Sequence, residues 1–320
     1  MLEVENLKTQ FRTEGGVVRA VDGLSFTVSE NDKVAIVGES GAGKSVTGLS
    51  ILRLIGQNGW ISNDTRIEWK GEELTDKTEE ELDNMRGKEI SWIPQNPLNA
   101  LNPTTTIGKQ IRETMVTHQI MSKQNAHERA IELLKEVGIS GAEERFNDYP
   151  HEFSGGMRQR VLIAIAISCN PDLIIADEPT TALDVIIQAK IIGVINELID
   201  DYNTALLLIT HDLGVVAELC HRALVMYAGE IIEKSKTESL FDNPLHPYTI
   251  ALMACNPSIS SEAELNTIPG EVPTGEDYPT GCRFHPRCPE AMDHCSEVHP
   301  ELREQNAFQE TACLLYKEDD

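Results

Sequence analysis

Short apolar runs of strand length recur along this chain, and runs with a helical period separate several of them. The apolar runs occupy residues 24–28, 34–37, 90–93, 173–176, 206–210 and 223–226. This alternation predicts an α/β fold with a largely parallel central sheet. Shorter strand patterns near Val4, Phe26 and Ile67 favour an additional antiparallel layer at the edge of the fold.

Two segments depart from this alternation. Between about residues 97 and 168 the pattern is helical and shows no convincing strand, which predicts an inserted helical subdomain. Beyond about residue 240, prolines interrupt regular structure repeatedly. We therefore predict a core domain over residues 1–240 and a small C-terminal extension over residues 241–320.

Charge and hydropathy exclude several classes of protein. The net charge is −25, from 52 acidic and 27 basic residues, which argues against broad electrostatic binding to nucleic acid or anionic lipid. No apolar run approaches the roughly 20 residues needed to cross a bilayer. The N-terminus lacks the basic start and apolar segment of a signal peptide. We therefore expect a soluble cytosolic protein, for which any membrane role requires partner subunits.

A glycine-rich segment follows the apolar run 34–37 and precedes a helical run at 46–54. Its residues fit the phosphate-binding loop pattern in the strand-to-helix context that this motif requires; they are Gly38, Glu39, Ser40, Gly41, Ala42, Gly43, Lys44 and Ser45. In such a loop the backbone N–H groups converge on the β-phosphate, the lysine reaches the β- and γ-phosphates, and the serine hydroxyl ligates magnesium. The segment therefore predicts a nucleotide and Mg²⁺ site, with a glycine-rich turn that binds nothing as the alternative.

Side chains at the ends of two predicted strands are candidates for the chemistry. Asp177 and Glu178 follow the run 173–176, and His211 follows the run 206–210. Because ligands of open α/β sheets bind at the carboxyl ends of the strands, we expect these groups at the nucleotide site. Asp177 would orient magnesium, Glu178 would polarise the attacking water as general base, and His211 would contact the γ-phosphate. A surface acid pair and a structural histidine are the alternatives.

A second phosphate contact is predicted at Ser154, which precedes Gly155, Gly156 and an apolar helical stretch at 161–167. A serine in this position can cap a helix. The first N–H groups and the positive dipole end of that helix would then face an anion. We expect this helix start to suit a terminal phosphate.

Together these segments resemble the nucleotide-binding subunits of ABC transporters over about residues 2–250. The resemblance implies a RecA-like phosphate-loop core with an antiparallel β layer and an inserted helical subdomain. It also implies that ATP is hydrolysed between two subunits. The signature sequence, here Ser154, Gly155, Gly156 and Gln159, would contact ATP held on the phosphate loop of the opposite subunit.

The resemblance assigns roles to further residues. Gln95 resembles the Q-loop glutamine, a magnesium and γ-phosphate ligand, and Asp184 resembles the D-loop aspartate. His211 resembles the switch histidine. Phe11 lies near the position of the aromatic residue that stacks on adenine.

One position of the phosphate loop departs from the pattern of many relatives. Val46 stands where they have threonine, so that a helix-start hydroxyl contact to the α-phosphate is lost. The hydroxyl of Thr47 is a candidate for a partial substitute.

Three segments narrow the resemblance to ATP-binding subunits of dipeptide and oligopeptide importers, in particular their D-type subunit; they are residues 38–47, 149–153 and 243–249. This implies a peripheral subunit at the cytoplasmic face of the inner membrane, which acts with two transmembrane permease subunits, a paralogous ATP-binding subunit and an extracytoplasmic peptide-binding protein. The permeases would dock near the Gln95 loop, where residues 96–101 offer a partly apolar surface. Nickel and oligosaccharide importers share much of the pattern. A soluble ABC-type ATPase acting on nucleic acid or ribosomes is a further alternative, which the acidic charge disfavours.

Four of the seven cysteines, Cys282, Cys288, Cys295 and Cys313, lie in the C-terminal extension with the spacing C-x5-C-x6-C-x17-C. Four thiolates can hold either a tetrahedral zinc ion or a four-iron cluster. The tail resembles that of the peptide-importer branch, which implies a [4Fe-4S] cluster. Zinc and unliganded thiols, the usual state of cytosolic cysteines, are the alternatives.

Overall fold

The computed structural model describes residues 1–181, 183–255 and 267–316. Its strands are, in chain order, β1 (Leu2–Arg12), β2 (Val17–Val28), β3 (Lys33–Val37), β4 (Gly59–Ile61), β5 (Arg66–Trp69), β6 (Glu72–Glu73), β7 (Ile90–Ile93), β8 (Leu173–Asp177), β9 (Ala205–Thr210), β10 (Arg222–Tyr227), β11 (Glu230–Lys236), β12 (Arg303–Asn306) and β13 (Gln309–Thr311). Its α-helices are α1 (Lys44–Ile51), α2 (Glu79–Met85), α3 (Pro97–Ala100), α4 (Ile107–Thr117), α5 (Lys123–Glu136), α6 (Ala142–Arg145), α7 (Gly155–Ile167), α8 (Val185–Tyr202), α9 (Leu213–Leu219), α10 (Thr237–Asp242) and α11 (Pro247–Ala254).

The chain divides into two compact units. The first comprises Met1–Ser29, Lys33–Asp76 and Leu208–Asp320, and the second comprises Glu30–Asp32 and Lys77–Leu207. The phosphate loop, His211 and the four C-terminal cysteines belong to the first unit. Gln95, the acidic pair after β8 and the signature sequence belong to the second.

The first unit contains the antiparallel layer that the sequence predicts. Its strands have the order β2-β1-β5-β6, with β4 also paired to β1, and all these pairs are antiparallel. The two N-terminal strands are longer than predicted, with 11 residues in β1 and 12 in β2. Polar residues alternate with the buried positions along each strand, so a pattern of continuous apolar runs marks only part of its length.

A second sheet of the first unit has the order β12-β13-β11-β10-β3-β9. The strands β3 and β10 are parallel, and all side chains of β3 are buried. Beyond β10 the sheet is antiparallel, and the last strands, β13 and β12, come from the C-terminal extension. The extension is therefore joined by backbone hydrogen bonds to β11.

The second unit contains the parallel pair β7 and β8 and the helices α2 to α8. The boundary between the units crosses β9, whose first three residues lie in the second unit. From residue 94 to residue 172, all of which are described, the regular elements are helices, as the periodicity predicts. None of the helices in the described part of the chain has the length and apolar character to cross a membrane.

Candidate functional site

The phosphate loop connects β3 to α1, and two of its glycines are required by close backbone contacts. A Cβ atom on Gly38 would lie 2.2 Å from the carbonyl oxygen of Met226. One on Gly43, which has a φ of 101°, would lie 2.2 Å from the carbonyl oxygen of Ala20. At the tip of the loop, Gly41 has a φ of 84° and faces open space. The loop is thus held closely at both ends and open at its tip.

Lys44 and its neighbours occupy the first turn of α1. The buried Lys44 ammonium donates to the carbonyl oxygens of Gly38, at 2.8 Å, and Glu39, at 2.9 Å. Ser45 and Val46 are half-buried, as expected for the start of a helix that adjoins a ligand site. Of the two residues around Gly41, Ser40 is exposed and Ala42 is buried.

The structure does not support Thr47 as a substitute for the missing hydroxyl at position 46. The Thr47 side chain is fully buried, and its Oγ1 donates to the carbonyl oxygen of Gly43 at 3.2 Å. This hydroxyl is therefore used inside the helix.

The acidic strand end of the second unit brings two predicted residues together. Glu178 follows β8 and accepts hydrogen bonds through Oε2 from Gln95 Nε2 and from the Thr181 hydroxyl, each at 2.8 Å. Its φ of 44° lies in the left-handed region, which non-glycine residues rarely adopt and which is typical of functional sites. Asp177, the last residue of β8, is buried. The motifs do not indicate the contact from Thr181, which follows three residues after Glu178.

The signature sequence forms the helix start that the sequence predicts. Ser154 caps α7, because its hydroxyl accepts from the Met157 N–H at 3.3 Å. Ser154 and Gly155 are both exposed. A Cβ atom on Gly156 would lie 2.7 Å from Cγ2 of Ile187, so this glycine permits α7 to approach the start of α8 closely.

Gln159, which is assigned to the signature, is buried within the same unit. Its side chain is 1% exposed, and its Nε2 has no hydrogen-bond partner among the described residues. A contact between Gln159 and nucleotide therefore remains a prediction, to which the structure adds no support.

Asp184 lies at the start of α8, where its carboxylate accepts from the Ile187 N–H at 2.9 Å. The next two side chains, Val185 and Ile186, are 80% and 70% exposed. Ala182, which precedes this segment, lies outside the described residues. An aspartate cap followed by exposed aliphatic side chains makes this helix start a candidate interface.

The remaining nucleotide candidates lie in the first unit. His211 is exposed directly after β9. Phe11 lies in β1, opposite Gly59 of β4. A Cβ atom on Gly59 would be 2.7 Å from Cε1 of Phe11, so the ring lies over this glycine. Its stacking on adenine remains a prediction.

The four cysteines of the C-terminal extension are free thiols, and the pKa values of three of them are influenced by others of the four. Burial raises the pKa of Cys282 and Cys313 to about 11, and the charges of other cysteines of the four act in the same direction. Burial also raises the pKa of Cys288. Among the described residues, however, no group of three or more His, Cys, Asp or Glu side chains is arranged to hold a metal ion. The thiols are neighbours, but they do not form a metal site in this arrangement.

Comparisons with known proteins place these features in a family. A family model described as ABC transporter matches residues 21–181, and one described as oligopeptide/dipeptide transporter, C-terminal region, matches residues 232–295. The chain is 49% identical over 320 residues to the oligopeptide transport ATP-binding protein AppD of Bacillus subtilis, covering 100% of this chain and 98% of AppD. It is 46% identical over 301 residues to OppD of Salmonella typhimurium, covering 94% of this chain and 89% of OppD.

Solved structures agree with this relationship. The dimeric ATP-binding cassette MJ0796, in a post-hydrolysis state with ADP and Pi bound, is 26% identical and matches with a TM-score of 0.66. The match covers 74% of this chain and 99% of the cassette. From the family models, the relatives and the fold together, the chain belongs to the ABC transporter family, and its C-terminal region is of the oligopeptide/dipeptide transporter type.

Proposed function

We propose that this chain is the ATP-hydrolysing subunit of an importer for dipeptides or oligopeptides. The observation that carries the proposal is the similarity to oligopeptide transport ATP-binding proteins along the entire chain, including the C-terminal region at residues 232–295. Phosphate-loop, signature and strand-end residues supply the groups that ATP hydrolysis requires.

Phosphate binding, Mg²⁺ binding and proton acceptance are assigned to different residues. Lys44 and the N–H groups of the phosphate loop bind the β- and γ-phosphates. Ser45, Gln95 and Asp177 would hold Mg²⁺, which when bound neutralises charge on the phosphate oxygens. Glu178 accepts the proton of the attacking water. Its hydrogen bonds from Gln95 and Thr181 fix the carboxylate orientation that this step needs.

Each ATP site is completed by residues of a second ATP-binding subunit. We infer a head-to-tail pair in which Ser154 and Gly155 of one chain face the phosphate loop of the other, with His211 and Asp184 of each chain near the bound nucleotide. The exposure of Ser154 and Gly155 supports this arrangement. The exposed Val185 and Ile186, directly after Asp184, offer apolar area to the same interface. The partner is a paralogous subunit.

The permease subunits dock on the segment that follows Gln95. Asn96 caps α3 by accepting from the Leu98 N–H at 2.9 Å. Leu98 is 63% exposed, whereas Leu101 is buried. Leu98 follows three residues after Gln95, which contacts Glu178, so we infer that this segment couples the permease surface to the catalytic carboxylate. We therefore propose a peripheral location at the cytoplasmic face of the inner membrane, in a complex served by an extracytoplasmic peptide-binding protein.

Transport by the assembled complex tests the substrate class. The complex is reconstituted in vesicles with ATP on the side of this chain, and uptake of a labelled peptide is compared with that of Ni²⁺ and a labelled oligosaccharide. We expect peptide uptake that stops in the Lys44→Ala variant. Uptake of Ni²⁺ or oligosaccharide in place of peptide would overturn the peptide assignment while leaving the ATPase intact.

We also propose that Cys282, Cys288, Cys295 and Cys313 hold a [4Fe-4S] cluster, with Zn²⁺ as the alternative. The proposal is supported by the four free thiols that lie in one C-terminal segment and by the C-terminal family match, which spans Cys282, Cys288 and Cys295. Binding requires the thiols to move into a liganding arrangement. Iron and zinc are quantified on anaerobically purified chain, with visible absorption as second readout. About four irons per chain are expected, and one zinc without iron would overturn the cluster.

A further inference from the structure

Three segments that are distant in the sequence meet at one residue of the phosphate loop. They are the loop itself, the helix α11 and the 3₁₀ turn His285–Arg287 of the cysteine-containing tail. The common residue is Glu39, the second residue of the loop. Its side chain, its N–H group and its carbonyl oxygen each make a different contact within the first unit.

The Glu39 carboxylate forms a two-pronged ion pair with Arg287. Arg287 Nη1 lies 2.9 Å from Oε2, and Nη2 lies 3.1 Å from Oε1. Arg287 is 9% exposed, and its Nε donates to the carbonyl oxygen of Pro269 at 2.8 Å. A planar guanidinium that is held at Nε and meets a carboxylate through two nitrogens fixes the orientation of that carboxylate as well as its position.

The backbone of Glu39 is held from α11. Its N–H donates to the Tyr248 hydroxyl at 2.8 Å. Tyr248 is fully buried, with ring centroids 4.7 Å from Tyr227 and 5.4 Å from Phe284. Burial raises the pKa of Tyr248 well above its usual value, so the hydroxyl remains neutral. The aromatic packing therefore places a fixed acceptor at the start of the loop.

The carbonyl oxygen of Glu39 holds the catalytic lysine. Lys44 Nζ donates to this oxygen at 2.9 Å and to that of Gly38 at 2.8 Å. The position of the ammonium group thus depends on the peptide planes at the start of the loop. Movement of Glu39 shifts those planes and the charge that meets the phosphates.

We propose that Arg287 is a positioning residue for the phosphate loop, acting through Glu39 on Lys44, so that the C-terminal extension sets the affinity of the chain for MgATP. The proposal rests on the proposed function, because it assumes that this loop binds ATP. An apolar side chain would fill the space of Arg287, but it would not fix the carboxylate. A buried arginine at this place therefore points to orientation of the loop as its role.

The affinity of the full chain for MgATP, measured by calorimetric titration, tests the proposal. Arg287→Gln removes the charge and is expected to weaken binding by about tenfold, and Arg287→Lys to recover part of the loss. The double variant Arg287→Gln/Glu39→Gln is expected to bind no more weakly than the worse single variant, because both substitutions break one interaction. The matched control is Arg303→Gln in the same extension. Arg303 forms a long ion pair with Glu301, with 3.8 Å between Nη2 and Oε2.

Two further readouts separate positioning from a structural role. In the assembled complex, Arg287→Gln is expected to raise the KM for ATP and leave kcat nearly unchanged, since Glu178 and Gln95 remain in place. The midpoint of thermal unfolding reports on folding. A lower midpoint with wild-type MgATP affinity would overturn the proposal. Failure of the wild-type chain to bind MgATP would instead refute the proposed function.

Discussion

Glu178 combines a left-handed backbone with two hydrogen bonds to its carboxylate. Its φ of 44° requires support from the surrounding structure, because this conformation is costly for a residue with a side chain. Gln95 and Thr181 both donate to Oε2 and fix the carboxylate.

Glu178→Gln is expected to retain MgATP binding and to lower turnover at this chain's site by about a hundredfold or more, because an amide cannot accept the proton. Phosphate release is measured in complexes whose partner subunit is inactivated at its own phosphate loop. The exposed Glu197→Gln, the same substitution on α8, is the control. An unchanged rate in Glu178→Gln would show that another group is the base.

His246 is a buried histidine whose ring is only half satisfied. Its Nδ1 accepts from the Tyr248 N–H at 3.0 Å, so the proton is on Nε2, which has no partner among the described residues. Burial lowers the pKa of His246 from 6.5 to about 3. The folded chain therefore keeps this ring neutral at pH values where the unfolded chain protonates it.

The sign of the resulting pH dependence follows from linkage. Between pH 6.5 and about 3 the unfolded state binds the additional proton, so stability is fully present above pH 6.5 and is lost as the pH falls. The midpoint of thermal unfolding should drop from pH 7 to pH 5. His246→Asn, which keeps an acceptor for Tyr248, should flatten this drop, whereas the exposed His294→Asn should leave it unchanged. If the midpoint of thermal unfolding falls equally in His246→Asn and His294→Asn between pH 7 and pH 5, the drop does not arise from His246.

At the residue scale, the sequence predicted the site features that are formed by residues close together in the chain. The phosphate loop and the acidic strand end have fixed spacings, and Ser154 precedes its helix directly. The pair of Arg287 with Glu39 spans 248 residues, and no periodicity connects these positions. Such a contact follows from the tertiary fold alone.

At the scale of elements, the contact between α7 and α8 joins the signature sequence to the candidate interface around Asp184. Gly156 allows this contact, since any larger residue would meet Ile187 at 2.7 Å. The two helix starts, capped by Ser154 and Asp184, are thus set side by side within one unit.

Gly156→Ala should separate these helix starts and lower ATP turnover at the partner subunit's site by about tenfold, because small misplacements of a phosphate-binding group are costly. The rate is measured in complexes in which Lys44→Ala inactivates this chain's own site. Adding Ile187→Ala should restore part of the rate by removing the clash. Gly193→Ala, where a Cβ meets nothing within 4 Å, is the control. If the double variant is as slow as Gly156→Ala, the clash is not the cause.

Elements were predictable where burial is continuous. The strands β7 and β8 are nearly or fully buried and read as apolar runs, and the sequence predicts both. The strands β12 and β13, with sequences REQN and QET, carry no apolar residues. They form because the backbone groups of β13 pair with β11 and those of β12 pair with β13, a stabilisation that leaves no hydrophobic pattern.

At the scale of the whole molecule, our proposal is that the chain offers half of each of two composite ATP sites. In this proposal it contributes Lys44 and Glu178 to one site, and Ser154 to the site of the partner subunit. The exposed Ser154, Val185 and Ile186 leave the signature side of the chain available to that partner. Hydrolysis should therefore be a property of the complex.

The most direct test is the rate of phosphate release by the chain alone and in the assembled complex, each with and without Ser154→Asp. Aspartate keeps the helix cap but repels a phosphate. We predict slow release by the lone chain, a rate at least about tenfold higher in the complex, and loss in Ser154→Asp of the part of that increase that arises at the partner's phosphate loop, while the lone variant binds MgATP like the wild type. A lone chain as fast as the complex, or weaker MgATP binding by the lone Ser154→Asp chain, would contradict the shared site.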